Sequence, residues 1–343
     1  MYKKIAYISA AFILVIVLAG CQLFVFGGGK EKPVAITQEG LRTGTDALVM
    51  SFYPEAPPNE TYESSSTDLS QGVFQVALVL ANKGAYDITN GKVVLSYDDT
   101  FLKILQDTWL RDGIVMPGGG SGNFFPLNIK GKSIDNPDGE TFTYSKNFKT
   151  MELGEQRQSK EVNLMATACY DYHTQKGVPI CIDTMPFAKI KKACETKPVA
   201  MQDQGAPLAI TRVEPKLIQQ GNEYTLEVYL YLKNKGNGLV YKSGRTETAC
   251  GGDFPSLSNE KFFNILEEPD VSLKLSTDNS PNQFKCGIFP LRLSDKESYL
   301  RCVYNSKISQ TAPYMTTLFV DISYGYTQST SKTTKIIRRI AFK

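Results

Sequence analysis

The sequence has little that supports catalysis by histidine or by bound metal. Histidine occurs once in 343 residues, at His173, which excludes the common zinc and iron sites built from several imidazoles. No two cysteines have the C-x2-C spacing of a zinc knuckle. A Ser-His-Asp arrangement would pair His173 with Asp171 or Asp183, but no G-x-S-x-G motif accompanies it. We therefore expect a solvated histidine, no catalytic residue, no metal site and no cofactor.

Neither basic nor acidic residues are in large excess. The chain has 38 basic and 35 acidic residues, and its formal net charge is only +3. Basic residues cluster only at the extreme N-terminus and in residues 335–339. Binding to nucleic acid needs many side chains that neutralise phosphates, so we predict no nucleic-acid partner. The apolar fraction of 42% is typical of a globular chain, and the length favours about two domains.

Two motifs that suggest ligand binding are incomplete. Gly131-Lys132-Ser133 resembles the end of a phosphate loop, but Pro126 stands where that motif requires its first glycine. The glycine-rich residues 117–122 have no flanking strand and helix, which is typical of a flexible loop. Acidic residues at 98–99 and 135–140 allow two interpretations: part of a calcium site, or a β-turn with solvated carboxylates.

The N-terminus indicates export. Residues 1–26 begin with Lys3 and Lys4 and continue as an almost wholly apolar run, as in a signal peptide. Residues 18–21, Leu-Ala-Gly-Cys, resemble the lipobox of secreted lipoproteins, and that resemblance implies that Cys21 is lipidated. A polar stretch, residues 27–45, would then tether the rest of the chain to the anchor.

A helical anchor is the competing interpretation. The apolar run resumes after Cys21 and extends from residue 5 to residue 26, long enough for a bilayer span of about 20 residues. The two lysines would hold the N-terminus inside and export everything beyond residue 27. An unanchored, secreted form is a third option. In the two anchored forms the protein is held at the cell membrane, with the bulk of the chain extracytoplasmic.

Cysteine usage agrees with export. An even number of cysteines in an exported chain indicates disulfides. Apart from Cys21, the sequence has six: Cys169, Cys181, Cys194, Cys250, Cys286 and Cys302. Their separations favour staples across loops or hairpins, and Cys286 with Cys302 is the best-supported pair. Two of the first three would pair locally, and the third would reach Cys250. The only N-glycosylation sequon begins at Asn59.

One phrase occurs twice in the chain. Residues 76–84 and 228–236 both read V-x-L-x-L-x-N-K-G. The alternation places Val, Leu and Leu on one face of a strand, facing a core, and Asn-Lys-Gly then forms a turn in which Asn and Gly tolerate positive φ. Short alternating strands separated by turn residues predict an all-β fold of two tandem immunoglobulin-like sandwiches. We place these domains at residues 46–200 and 206–343.

The strand-NKG-strand phrase resembles the CARDB-type and related immunoglobulin-like modules of prokaryotic surface proteins. Further pieces are similar to those of membrane-anchored archaeal proteins: F-Y-P-x-x-P-P, C-Y-D-Y-x-T followed by C-I-D, Q-G-A-P-L-A-I-T, and a closing S-Y-G-Y. The resemblance covers most of residues 46–343 and implies a sandwich fold and a surface location. The second copy lacks an obvious counterpart of the strand at residues 91–97.

We therefore expect an anchored extracytoplasmic protein with a non-enzymatic binding or structural role at the cell envelope. Its partners would be the membrane, through the anchor, and either an envelope protein or a second copy. Long loops at residues 59–72 and 109–122, together with some of the 18 tyrosines, would supply the contact surface. The alternative is a lipoprotein that binds a solute or hydrolyses envelope material. That alternative requires a concave pocket with convergent polar groups.

Overall fold

The computed structural model describes residues 38–64, 71–116, 119–251, 262–277, 283–294 and 296–339. The signal or anchor segment 1–26, the lipidation candidate Cys21 and residues 27–37 of the tether lie outside this part of the chain. Among the described residues, no helix has both the length and the apolar character that a membrane span requires.

Strands make up most of the described chain, which confirms the predicted all-β class. The strands that precede residue 200 are β1 Leu48–Phe52, β2 Glu60–Tyr62, β3 Val73–Asn82, β4 Ile88–Ser96, β5 Leu102–Ile104, β6 Leu110–Arg111, β7 Ile114–Val115, β8 Phe124–Ile129, β9 Thr141–Thr150, β10 Ser159–Ile182 and β11 Val199–Ala200.

The later strands are β12 Leu208–Gln220, β13 Glu223–Asn234, β14 Leu239–Tyr241, β15 Ile265–Leu266, β16 Val271–Leu275, β17 Phe284–Cys286, β18 Leu291–Arg292, β19 Ser298–Tyr304, β20 Ile308–Ser309 and β21 Tyr314–Ile337. The helical elements are α1 Gln38–Leu41, α2 Thr246–Cys250 and a 3-10 turn, Glu268–Asp270.

The two longest strands, β10 and β21, form the middle of the molecule. Each has 24 residues, and they pair antiparallel over their whole length, from Ser159 opposite Ile337 to Ile182 opposite Tyr314. The central sheet has the order β14-β21-β10-β4-β8, and β16 and β2 also pair with β21. Strands from both sides of residues 200–206 therefore share one sheet.

Each half of the chain adds an outer sheet to the central one. The first outer sheet contains β1, β3 and β9, and the second contains β12, β13 and β19. The two copies of the repeated phrase lie in β3 and β13, the middle strands of these sheets. The predicted inward positions are confirmed, because all six are fully buried: Val76, Leu78, Leu80, Val228, Leu230 and Leu232.

Both outer sheets pack on the same face of the central sheet. The even-numbered side chains of β10 and β21, such as Leu164, Tyr172, Val320 and Tyr324, belong to the same continuous core as the outer strands. The described fold is thus a β-sandwich with one shared sheet, and all described residues fall within one compact unit. Near residues 200–206 the chain begins the second outer sheet, with β11 and β12.

The two Asn-Lys-Gly turns are held in the same way. The Asn82 side chain donates to the carbonyl of Tyr86 and accepts from the N–H of Gly84. The Asn234 side chain donates to the carbonyl of Gly238 and accepts from the N–H of Gly236, so both contacts recur at the same spacing.

The reason for the two turn glycines differs from the one we predicted. Neither the asparagines nor the glycines of these turns have positive φ. A Cβ on Gly84 would instead collide with the phenol oxygen of Tyr172, and a Cβ on Gly236 with that of Tyr326. The glycines permit a close approach between turn and central sheet.

Three disulfides join the six described cysteines. Cys169 pairs with Cys250, and Cys181 pairs with Cys194. The third bridge joins Cys286 to Cys302, opposite residues on the neighbouring strands β17 and β19. The last bridge is the one that the sequence spacing favours most. Each half of the shared-sheet sandwich is therefore crosslinked, and the bridge from Cys169 connects the halves.

Candidate functional site

The outward face of the central sheet is only partly covered. Its odd-numbered side chains point away from the core, and a small second cluster sits on its middle. That cluster is built from the Cys169–Cys250 disulfide, helix α2 and the ring of Tyr241, which lies on the bare backbone of Gly325. The cluster leaves one groove towards each end of the β10–β21 pair.

The first groove is lined mainly by hydroxyl and apolar groups, and we call it the hydroxyl groove. It has a volume of about 810 Å³. Its floor includes Thr167 and Ser329, opposite residues on β10 and β21 whose hydroxyl oxygens lie 2.8 Å apart. Phe263 and Leu293 add apolar walls, and Arg292 is the one cationic side chain among the described lining residues.

The second groove carries charges of both signs, and we call it the charged groove. Its volume is about 790 Å³. Gln175 and Asp321 lie opposite each other on β10 and β21, and the Gln175 amide donates to one carboxylate oxygen of Asp321 at 2.7 Å. Gly177 adds no side chain to the floor, and a Cβ there would lie 3.3 Å from Cγ2 of Thr317 and 3.4 Å from the ring of Phe319. Phe319 is half exposed and offers the groove an apolar surface.

Arg42 enters the charged groove from the chain just before β1. Its guanidinium lies over the ring of Tyr86, 5.2 Å from the centroid. The phenol oxygen of Tyr86 in turn accepts from the backbone N–H of Gln175 at 3.0 Å, which fixes the ring against β10 where β4 no longer pairs with it. Tyr86 therefore positions the arginine beside the groove.

Two buried polar atoms of the charged groove have no partner. Nε of Arg42 and Oδ1 of Asp321 are both inaccessible, and neither makes a hydrogen bond to any part of the chain that the structure describes. One is a donor and the other an acceptor, with opposite charge. Buried polar groups in proteins are nearly always paired, so these two atoms are the most unusual feature of the groove.

His173 lies on β10 next to the charged groove, rather than in a loop. Its ring contacts Tyr86 edge-on, with centroids 4.5 Å apart, and Ser323 is its cross-strand neighbour. Burial lowers the pKa of the imidazole, opposed in part by the charge of Asp321. None of the hydrogen bonds within the described ranges involves the imidazole. The sequence-based picture of a solvated loop histidine is therefore wrong.

The two aspartates considered as partners of His173 are engaged elsewhere. Asp171 accepts from the backbone N–H of Gly244 at 2.8 Å. Asp183, at the far end of β10, pairs with Lys192 at 2.8 Å and accepts from the N–H of Met185. Both carboxylates stabilise loops in the structure.

The acidic stretches form turns. Asp98 accepts from the backbone N–H of Thr100, and Glu140 accepts from that of Lys130. The turn at 136–139 closes with a bond from the N–H of Gly139 to the carbonyl of Asn136. No group of three or more His, Cys, Asp or Glu side chains within the described ranges is placed to hold a metal ion.

A third surface lies on the outer face of the second outer sheet. Tyr229 and Tyr231 alternate with the buried leucines of β13, and Tyr299 of β19 lies opposite Tyr231. The Tyr299 ring centroid is 6.2 Å from that of Tyr229 and 5.9 Å from that of Tyr231. Tyr299 is 59% exposed. We call these three side chains the tyrosine platform.

Charged residues fix the platform on both sides. Arg212 stacks on Tyr231 at 3.7 Å, and Lys216 lies 4.5 Å above the ring of Tyr229. The hydroxyl of Tyr231 donates to Glu214, and that of Tyr229 donates to Glu227.

The two carboxylates of the platform are each paired with a cation. A hydrogen bond from Lys216 lowers the pKa of Glu214, and one from Arg301 lowers the pKa of Glu227. Nε of Arg301 lies 2.8 Å from Glu227. The acids therefore stay ionised at neutral pH and hold the phenol groups in place.

The predicted contact loops are only partly confirmed as surface. Trp109, at the start of residues 109–122, is fully buried and packs on Phe125. Ile114 and Val115, in the β6–β7 hairpin that follows, are exposed. Asn59, the glycosylation candidate, is also exposed. Residues 65–70 and 117–118 of these loops lie outside the described part.

Comparison of the chain with protein-family models and with curated proteins gives no match. Sequence reasoning missed the charged groove because Arg42, Gln175 and Asp321 are far apart in the chain. The contact role predicted for tyrosine stays a prediction, and the alternation V-Y-L-Y-L at residues 228–232 is the signal that locates part of the platform.

Proposed function

We propose that this protein is anchored to the cell membrane by its N-terminal segment and acts outside the cytoplasm as a non-enzymatic binding protein of the envelope. Its partner would be another envelope protein or a second copy of the chain. The apolar run of residues 1–26 supports the anchor. The anchor itself would be either a lipid on Cys21 or a transmembrane helix.

The disulfides support a location outside the cytoplasm. All six cysteines beyond the N-terminal segment are paired, and such bonds persist in oxidising compartments. The exposed sequon residue Asn59 is compatible with the same location.

The main support for a binding role is a difference between the outward residues of the two copies of the repeated phrase. Their inward residues are the same, Val, Leu and Leu, because both copies fill a core. Their outward residues differ: Ala77 and Val79 in the first copy correspond to Tyr229 and Tyr231 in the second. Packing does not require tyrosine at these positions. Clustered tyrosines on a rigid sheet are typical of recognition surfaces.

Cross-linking in intact native cells, followed by mass spectrometry, tests this role. We expect links from the second outer sheet to one or two envelope proteins, or to a second copy. Tyr299→Ser should remove most of these links without altering the fold. Tyr53→Ser is the matched control, because Tyr53 is 51% exposed and lies in the other half of the chain. Links that survive Tyr299→Ser, or links lost equally in the control, would contradict the platform.

We also propose that each half of the shared-sheet sandwich is immunoglobulin-like and related to CARDB-type modules. The proposal is supported by the equivalent positions of β3 and β13 and by the matching turns at Asn82 and Asn234. In this view the predicted domains, residues 46–200 and 206–343, are two copies of one module that share a sheet.

A second candidate function is solute binding, and the two grooves favour it. Sites for small molecules are commonly clefts of about 300–1,000 Å³ with a few placed polar groups. The charged groove meets this description with Arg42, Gln175 and Asp321. A hydrolytic role has less support, since the imidazole of His173 has no hydrogen bond within the described ranges and its two candidate aspartate partners are engaged with loops.

A further inference from the structure

The charged groove presents a donor and an acceptor that nothing in the described chain satisfies. Nε of Arg42 and Oδ1 of Asp321 are buried, and leaving such groups unpaired is costly. The other Asp321 oxygen is held by Gln175, so the free oxygen has a fixed direction. Arg42 is held by stacking of its guanidinium over the ring of Tyr86. Both side chains are therefore held beside the groove before any ligand arrives.

Three charged side chains of the described residues line the groove: Arg42, Lys176 and Asp321. The charges of Arg42 and Asp321 do not neutralise each other. Arg42 and Asp321 line the same groove, yet no ion pair joins them in the part of the chain that the structure describes. A ligand with one charge would satisfy only one of them. A ligand with a carboxylate for the Arg42 guanidinium and an ammonium group for the Asp321 carboxylate pairs with both side chains once a local movement exposes the buried Nε and Oδ1. Charge-assisted bonds of this kind are the strong ones.

The floor and wall of the groove define the remainder of the ligand. Gly177 places no side chain on the floor, between Thr317 and the half-exposed ring of Phe319, where a Cβ would lie 3.3 and 3.4 Å from these two side chains. An apolar group of the ligand can pack there and bury part of the ring. We propose that the charged groove binds a small zwitterion with an ammonium group, a carboxylate and an apolar part, such as a free α-amino acid or a short peptide.

This inference rests on the solute-binding candidate and names its ligand class. The test uses the full chain and begins with a thermal-shift screen at millimolar concentration. The probes are the free L-α-amino acids, the dipeptide Leu-Leu and glycine betaine. We expect stabilisation by amino acids with apolar side chains or by the dipeptide, and the stronger of the two identifies the source of the zwitterion. The quaternary ammonium group of betaine has no N–H to donate. Stabilisation by betaine alone would therefore contradict a hydrogen bond from the ligand's ammonium group to Asp321.

Calorimetric titration then tests which charged group of the ligand pairs with Arg42 and which with Asp321. The probes are the best zwitterion, its amide, which lacks the carboxylate, and its deaminated acid, which lacks the ammonium group. Asp321→Asn should weaken the binding of the zwitterion and of the amide by about tenfold or more, and leave the affinity for the deaminated acid unchanged. Arg42→Gln should weaken the binding of the zwitterion and of the deaminated acid, and leave the affinity for the amide unchanged. The amide oxygen introduced by Asp321→Asn can still accept from Gln175, so this variant keeps the strand pairing.

Gly177→Val tests the floor without changing a charge. It should abolish binding of all three probes, while the matched change Gly287→Val, at a glycine with open space around it, should not. The proposal is overturned if no probe binds, or if both charge variants weaken the three probes equally. Either result leaves the cross-linking test of the tyrosine platform unaffected, so the two failures are distinguishable.

Discussion

Tyr170 of β10 lies directly opposite Tyr326 of β21, and their ring centroids are 6.0 Å apart. The next inward pair is Tyr172 opposite Tyr324, so the segments Y-D-Y at residues 170–172 and Y-G-Y at residues 324–326 face each other in antiparallel register. An approximate two-fold axis therefore passes between Asp171 and Gly325. The four phenols form one buried cluster where the two halves of the sandwich meet.

Each phenol of the cluster accepts a hydrogen bond from an outer element. Tyr172 accepts from the N–H of Tyr86, and Tyr326 accepts from that of Gly238, at equivalent places after the two turns. Tyr172→Phe leaves the buried N–H of Tyr86 unpaired, and Tyr326→Phe leaves the half-buried N–H of Gly238 unpaired. We expect each to lower the free energy of unfolding by about 1–3 kcal/mol in urea titrations. Tyr299→Phe, on the exposed platform, is the control and should change little.

The turn glycines should be as sensitive as the phenols that they touch. Gly84→Ala and Gly236→Ala place a methyl group against Tyr172 and Tyr326, respectively. We expect each change to lower the free energy of unfolding by about 1–3 kcal/mol through overpacking. Gly287→Ala, with open space around the site, should be close to neutral. Equal effects at the three sites would contradict the collision as the cause of the loss, because the entropy of the unfolded chain favours alanine over glycine.

The disulfides should differ in their contribution. The bridge Cys169–Cys250 closes a loop with a sequence separation of 81, and Cys181–Cys194 one with a separation of 13. Chain entropy alone predicts a loss of about 4.5 kcal/mol when both cysteines of the first pair become serine, and about 3 kcal/mol for the second. Denaturant unfolding of the two double variants measures both. A larger loss for the short loop would contradict the entropic account.

The stability of the protein should depend on His173 at mildly acidic pH. Burial lowers the pKa of the imidazole below its usual value of 6.5. The unfolded state therefore takes up a proton first, and the native state loses stability as the pH falls below 6.5. The variant His173→Gln has no such group to protonate. Between neutral and mildly acidic pH, the urea midpoint should fall further for the wild type than for the variant, and equal falls would exclude this role of the imidazole.

Part of this fold can be predicted from the sequence because local alternation decides it. The alternation predicts strands over residues 124–129 and 271–275, which are the bounds of β8 and β16. It also identifies the inward faces of both repeated strands. In these segments the period of two and the flanking turn residues point to the same answer.

The long strands are predictable only in part. Residues 162–168 have the pattern of a strand, whereas β10 extends to Ile182 through Gly177 and Pro179, residues that usually interrupt strands. The proline is tolerated because β10 pairs there with β21 alone, and β4 has already separated from it. Sheet position, which is a tertiary property, overrides the local signal.

The charged groove has no signal in the sequence. Gln175 meets Asp321 only because the register of β10 and β21 is set by core residues elsewhere along the strands. The sequence predicts only part of the platform. Tyr229 and Tyr231 follow from the strand alternation, but Tyr299 lies on another strand. The counterpart of β4 in the second half, β14, has three residues and is too short to recognise.

The pairing of β10 with β21 has a consequence for the ancestry of the chain. A two-fold contact in which each strand meets its own equivalent is the geometry of a symmetric homodimer. A single-copy ancestor with this strand at its sheet edge would have associated with an identical molecule through the same phenols. Fusion of two such genes would place both subunits in one polypeptide and leave one copy free to acquire tyrosines on its outer face while the other keeps alanine and valine.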